Sequence, residues 1–383
     1  MRKIFAVLSL LALFMATYPA DAEQSVHLSK DVSNRIKMEA DIFVPEKQAY
    51  ASYRYVIPDL TRNETLNENA LADRLFVNPS SPRTHTDDRD ENLSGRWGGN
   101  AVESVDGEMI TVGQAGSIVY ERTTQYLRYI LPLSYILHGT NNPAFYMYGA
   151  KYTLDDFKRD HDYMTSGQAE KTFQDYIGGL NLGLDIRPVY LLSISHDQME
   201  EVYRELLTKS GKYSDGYYTK VEDWNENDDL YAFVCGFTLE GLPVYDGLDE
   251  AQNRGLTVTT RHGGDASYLR VETAMNGDGV FYLSTDYTGL LSKTSEAKTI
   301  IGYEEAVTRL ESYLQELIPP NPINISSGYL QYVPVPSAED PYTWNLLPAW
   351  CFQSEVIVQD GAERKALPDA TYCFSAFTGE ELQ

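Results

Sequence analysis

The sequence predicts an α+β protein: antiparallel β-meander sheets, each packed on an amphipathic helix, with that unit repeated in the C-terminal half behind a β-rich N-terminal domain. Three observations carry this expectation. β-branched and aromatic segments lie between glycine turns instead of alternating one by one with helices. Two strongly periodic helices, near residues 196–210 and 303–317, each stand ahead of a run of strands. The chain of 383 residues, 43% hydrophobic and 12% aromatic with 29 Tyr, can fill such cores.

The first element is not part of the fold. Arg2 and Lys3 precede an apolar run of 13 residues, Ile4 to Ala16, followed by Thr17-Tyr18-Pro19-Ala20-Asp21-Ala22. The run is too short to span a bilayer comfortably, and Ala20-x-Ala22 offers the small residues that a signal peptidase requires. A secretory signal peptide over 1–22, cleaved after Ala22, is expected, and with it a secreted, extracytoplasmic protein. No later stretch reaches 18 consecutive apolar residues, so no membrane insertion is expected after cleavage.

Residues 23–194 are expected to form the N-terminal β-rich domain. Lys37–Val44 and Ala51–Ile57 read as strands, and Leu66, Ala70, Leu71 and Leu75 give helical spacing to Glu64–Phe76, which Asn78-Pro79 stops. The stretch 79–99, polar and glycine-bearing, reads as an exposed loop. Met109–Val112, Ile118–Arg122 and Tyr126–Ile130 read as a meander turning at Gly113 and Gly116. A helix at Gln168–Leu180 and an apolar strand at Val189–Ile194 complete this half.

Residues 195–383 are expected to hold two helix-on-sheet units, about 195–300 and 301–383. Ser195-His196-Asp197-Gln198 has capping-box spacing, and Met199, Val202, Tyr203, Leu206 and Leu207 continue an amphipathic helix that Gly211 can end. Strands follow at Leu230–Leu239, Leu256–Arg261, Tyr268–Met275 and Val280–Thr285. Gly263-Gly264-Asp265 and Asn276-Gly277-Asp278-Gly279 suit the positive φ of tight hairpins. The second helix, Tyr303–Leu317, stops at Pro319-Pro320, and Gly328–Val335, Thr343–Val358 and Ala370–Phe377 are the last strands.

Charge narrows the partners. With 31 Lys and Arg against 56 Asp and Glu, the formal charge is −25. Loss of Arg2, Lys3 and Asp21 leaves 29 positive and 55 negative side chains, a net of −26. Nucleic acid and anionic surfaces are therefore not expected as partners.

Motifs for chemistry are sparse. Asp223-Trp224-Asn225-Glu226-Asn227-Asp228-Asp229 matches the first ligand positions of an EF-hand loop, but Asp228 stands where Gly is needed and Val234 where a bidentate Glu is needed. It is read as a solvated acidic loop. Asp155–Asp162, which includes His161, is read as a surface of local ion pairs. No nucleophile elbow, zincin, Cys-x-x-Cys or phosphate-loop motif occurs, and six His residues lie singly. No catalytic, cofactor-binding or metal-binding residue is therefore assigned, although a triad assembled in space stays open. The three cysteines are Cys235, Cys351 and Cys373. If the last two strands are antiparallel neighbours, Cys351 and Cys373 stand opposite, and two outcomes remain: a disulfide, or two buried free thiols.

The C-terminal segment carries a family resemblance. Glu304-Glu305-Ala306 in a helix is followed by Gly328–Pro334 with Tyr332 and Pro334, by Leu346-Leu347-Pro348-Ala349-Trp350, and by Asp369 through Thr378-Gly379-Glu380. This resembles the extracytoplasmic regulatory proteins of the YycH/YycI type, which modulate a two-component sensor kinase, and uncharacterised Gram-positive secreted proteins and lipoproteins of PepSY-like architecture. It covers about residues 195–383 and implies a non-enzymatic module acting by protein contact. Those proteins keep a membrane helix or a lipobox Cys, whereas this chain is expected to carry a cleavable signal and neither anchor. Read for packing alone, Pro348 and Trp350 fill a core and Thr378-Gly379-Glu380 turns the chain.

The expected function is extracytoplasmic binding or regulation of a protein or peptide, through a sheet edge or the cleft between halves, with no cofactor. Two other classes stay open. One is a secreted hydrolase at the domain junction using acidic residues or His161; the other is a carbohydrate- or peptide-binding module using exposed aromatics.

Overall fold

A computed structural model describes residues 22–88, 99–113, 116–122, 128–129, 132–133, 136, 154–178, 180, 184–209, 223–245, 271–285, 288–316, 319, 321–340, 342–360 and 363–382. In chain order the elements are β1 (Ala22–Asp31), β2 (Ile36–Pro45), β3 (Ala49–Tyr50), β4 (Tyr53–Val56), α1 (Glu68–Leu75), β5 (Arg83–Asp88), β6 (Gly99–Ser104), β7 (Glu108–Gly113) and β8 (Ile118–Arg122). Next come α2 (Ser166–Gly178), β9 (Asp185–Ile194), α3 (His196–Lys209), β10 (Leu230–Leu239), β11 (Leu242–Pro243), β12 (Val271–Asn276), β13 (Gly279–Thr285), β14 (Leu290–Lys293) and β15 (Lys298–Thr299). The chain closes with α4 (Tyr303–Glu316), β16 (Ile323–Pro336), β17 (Thr343–Asp360) and β18 (Glu363–Ser375). The class is α+β, as expected: mostly antiparallel sheets with helices on them.

The chain forms two interleaved compact units. Described residues up to Val56, from Phe237 to Tyr245 and from Leu291 onward make the first; those from Ile57 to Gly236 and from Val271 to Leu290 make the second. Residue 194, where the sequence reading divides the chain, falls inside the second unit. The reason is strand pairing across that point, which sets Ile118–Glu121 of β8 beside Tyr282–Thr285 of β13. Likewise the segment from residue 301 onward shares its unit with the N-terminal hairpin, through β2 and β16.

The first unit is built on a seven-stranded sheet, order β1-β2-β16-β17-β4-β14, with β18 also beside β17. Its one parallel pair among the registered ladders is β2 with β16. The 18-residue β17 changes neighbour along one side: Thr343–Leu346 pair with β4, and pairing with β18 begins at Ala349. Pro348 stands in that gap, where its missing N–H breaks no ladder bond. α4 buries Ala306, Val307, Leu310 and Leu314 and packs against β18 and β2. Trp350, 1% exposed, donates its indole N–H to the Ile301 carbonyl at 3.0 Å. Gly328 is needed for close approach, because a Cβ there would stand 2.6 Å from Ile42 Cδ1 and 2.8 Å from Phe352 Cδ1.

The second unit carries the order β10-β12-β13-β8-β7-β6-β5, with β9 also pairing β10. β10 is apolar and buried at nearly every position, the pattern of a strand covered on both faces. Phe173 of α2 stacks on Phe233 of β10 with ring centroids 4.6 Å apart. The Ser195 and Gln198 reciprocal bonds cap α3 as the spacing predicts, and Asn276–Gly279 turns β12 into β13 with Gly279 at φ +99°.

Three expectations are corrected here. α1 starts at Glu68, not Glu64, because Asn63 and Asn67 each turn their side-chain oxygen onto the amides two and three residues on. Within the expected loop 79–99, Arg83–Asp88 is a strand, paired with β6 from Arg83↔Ser104 to Asp88↔Gly99. An edge strand can draw on backbone pairing without an apolar face, which explains its polar sequence. β1, for which the sequence carried no expectation, pairs β2 from Gln24↔Val44 to Asp31↔Lys37. Of the expected strand Tyr126–Ile130 only Arg128 and Tyr129 are described, and they are helical. The expected strand Leu256–Arg261, the Gly263–Asp265 turn and the Gly211 cap lie outside the described residues, as does the signal segment 1–21.

Candidate functional site

The second unit gathers polar residues that the sequence scatters. The segment Asp223–Asp229 is exposed at Asp223, Asn225, Glu226 and Asn227, as expected of a solvated loop, but its end is not. A short turn of helix, Glu226–Asp228, is capped by Asn225, and Asp228 and Asp229 turn inward. Asp228, 3% exposed, accepts from Arg128 Nε and Nη2 at 2.5 Å each, from the Tyr129 hydroxyl at 2.5 Å and from the Asn225 amide at 2.9 Å. Burial pushes the Asp228 carboxyl up, but these bonds and the Arg128 charge outweigh it and hold the group below the usual carboxylate range.

Asp229 bridges two imidazoles. Its Oδ1 accepts from the His196 backbone amide at 2.8 Å and stands 2.7 Å from His196 Nδ1, while Oδ2 stands 3.3 Å from His161 Nδ1. Burial works against charge on His196, yet the hydrogen bond to Asp229 and the nearby carboxylates of Asp229, Asp197 and Asp228 prevail and raise its pKa. His161 therefore does not belong to a surface of ion pairs. Its side chain is 5% exposed, its ring is stacked on Tyr163 at 5.6 Å and meets Tyr231 edge-on at 4.8 Å. The neighbouring Asp160 binds the Ser166 amide and hydroxyl at the start of α2 instead.

His161 Nε2 lies 2.9 Å from Ser193 Oγ, so Ser193, His161 and Asp229 stand in the order of a catalytic triad. The same nitrogen is 3.0 Å from the Leu230 carbonyl. A carbonyl only accepts, so that contact needs Nε2 protonated, whereas a general base needs its lone pair free. Ser193 is 3% exposed near the end of β9, and the first amide of α3 is taken by Asp229. The array fastens β9, the start of β10 and the 160–164 segment together, with its polar atoms spent on one another. Sequence reading named His161 but had no signal for Ser193 or for Asp229 as its partner.

Other expected residues fall as follows. Cys351 and Cys373 are buried and directly opposed, with sulfurs 2.9 Å apart. Tyr332 is fully buried, its hydroxyl 3.0 Å from the Ala51 carbonyl and 3.2 Å from Glu240, which also binds Lys47 and Tyr53. Pro334 pairs across with Leu346, and Thr378-Gly379-Glu380 reverses the chain with Gly379 at φ +69°. Among the described residues no three His, Cys, Asp or Glu groups could hold a metal ion. Tyr163, at 37%, is the one large aromatic among the described residues that is exposed. No described helix is long and apolar enough to cross a membrane.

The open backbone of the first unit lies at β1, the edge of its sheet. The Glu39 amide of β2 donates to Asn324 Oδ1 at 3.2 Å, so it faces β16. Its partner across the hairpin, Ser29, therefore turns its own N–H and C=O away from β2. Register is constant over Gln24–Asp31, so Ser25, His27, Ser29 and Asp31 all present outward N–H and C=O groups, and among the described residues no strand pairs with them. Most of β1 is solvent-exposed.

No protein-family model matches this sequence, and no curated protein is similar to it. A solved structure is similar in fold: the crystal structure of an uncharacterized protein from Eubacterium rectale, with a TM-score of 0.56 and 15% identity over 98% of each chain. That likeness supports the α+β architecture.

Proposed function

We propose that the protein is a secreted, non-enzymatic binding or regulatory protein that acts by protein–protein contact outside the cytoplasm. The observation that carries this reading is the open edge of β1, where four alternate residues offer unpaired backbone groups along one line. An extended segment of a partner protein can add there as a further strand, with backbone bonds supplying affinity and side chains on alternate faces supplying selectivity. The signal-peptide pattern of residues 1–22 and the YycH/YycI-type resemblance of about residues 195–383 support the same reading. So does the burial of Ser193 in the Ser193–His161–Asp229 array, whose polar atoms bond one another. A chain of this negative charge favours partner segments bearing Lys or Arg.

The test uses the chain from Glu23 onward and a variant with Ser25→Pro and Ser29→Pro. Both replacements remove outward N–H groups and spare the bonds between β1 and β2. Pull-down from cell-envelope and culture-medium fractions should recover a specific protein with the parent chain and lose it with the variant. Hydrogen exchange at Ser25, His27 and Ser29 should slow when that protein is added. Equal recovery by both chains, or unchanged exchange, would overturn the reading.

A further inference from the structure

Two cysteines, 22 positions apart in sequence, meet across the β17–β18 ladder. The type of pairing can be read from their neighbours. Cys373 accepts through its carbonyl from the Leu382 amide at 2.8 Å, and the Ser375 amide donates to the Glu380 carbonyl at 2.8 Å. At these alternate positions β18 thus turns its polar backbone away from β17, so Cys351 and Cys373 are a non-hydrogen-bonded pair. Such pairs bring Cα atoms to about 4.5 Å and side chains closest together. That separation lies within the span of roughly 4.4–6.8 Å that a disulfide bridges. The two sulfurs point to the same face, 2.9 Å apart, among Tyr329, Val333 and Ala349.

We propose that Cys351 and Cys373 form a cross-strand disulfide by exchange with a low-molecular-weight disulfide. The thiolate of one cysteine attacks a sulfur of that reagent; the reagent's S–S bond breaks, one thiolate leaves and a mixed disulfide remains. The second cysteine attacks the protein sulfur of the mixed disulfide, and the second small thiolate leaves. The two cysteine protons end on the two released thiols, so the protein loses two protons and two electrons while the reagent gains them.

Access is set by the chain end. Gly379 turns the backbone, Glu381 bridges back to Phe374, and Leu382 packs on the thiol cluster, so this short return must lift for exchange to proceed. Cys235 stands apart in β10, and its thiol is held well above the ordinary range by burial and by the charge of Glu170, which keeps it unreactive.

The experiment incubates the reduced, folded full chain with oxidised glutathione, quenches with acid, denatures, alkylates with N-ethylmaleimide and measures intact mass and peptides. The expected product carries one maleimide, on Cys235, and a peptide pair joined through Cys351 and Cys373. The Cys373→Ser variant should show no loss of two hydrogens. Three maleimides on the parent chain, persistent glutathione adducts, or a bridge that includes Cys235 would each overturn the proposal.

Discussion

Replacing Asp228 with Asn tests the polar centre of the second unit. The carboxylate is almost fully enclosed and receives two bonds from Arg128, one from Tyr129 and one from the Asn225 amide. Asn keeps the shape, but it leaves the Arg128 guanidinium facing a neutral amide and turns one acceptor into a donor. Breaking a buried pair by neutralising one partner costs about 3–5 kcal/mol. The Arg128 side chain is 28% exposed, so water relieves part of the loss and about 3 kcal/mol is expected. Urea unfolding followed by tryptophan fluorescence, to which Trp224 contributes with its ring 5.1 Å from the Arg128 guanidinium, reads this loss. The Arg128→Met, Asp228→Asn double variant should be more stable than Asp228→Asn alone, because no unpaired cation remains. pH gives a second check. The folded pKa of Asp228 is lowered, so its stabilisation is complete above the unfolded value near 3.9 and is lost as pH falls through the folded one. The difference between parent and variant should therefore be full at pH 7 and shrink below about pH 4. A loss under about 1 kcal/mol at pH 7, or a gap that persists in acid, would refute the account of this ion pair.

Three further outcomes are expected. His196, whose pKa is raised, contributes stability that is complete below its unfolded value and fades as pH rises through the folded one; His196→Gln should thus lower the urea midpoint more at pH 5 than at pH 8. Gly328→Ala should cost about 1–3 kcal/mol in thermal or chemical unfolding, since the new methyl meets Ile42 and Phe352 below contact distance, and Ile42→Val should recover part of it. Oxidation of Cys351 and Cys373 should raise stability by about 3 kcal/mol in denaturant midpoints compared with the reduced chain, from closure of the loop between them.

Elements governed by local sequence were legible. β10 matches its expected bounds because a ten-residue apolar run between polar residues has one reading, and α3 begins where Ser195 and Gln198 announce it. The expected opposition of Cys351 and Cys373 also follows from neighbouring strands in the chain. β5 was not legible, since its sequence carries no apolar alternation and its order comes from β6. α1 was overextended because helical spacing hid the competing turns of Asn63 and Asn67. The array around His161 and the interleaving of units depend on contacts between distant segments, such as β2 with β16, for which no local pattern exists.

The parallel pairing of β2 with β16 has a consequence for biosynthesis. The N-terminal hairpin leaves the ribosome early, but the strand it must dock on begins at Ile323. At about 5–20 residues per second the hairpin waits roughly 15–60 s for that partner. Meanwhile every segment needed for the second unit's sheet has emerged by Thr285. The order of assembly is therefore inside out, with the middle of the chain settling first and the two ends joining last. Until then the apolar face of β2, with Ile36, Met38, Ala40 and Ile42, lacks its final partner strand.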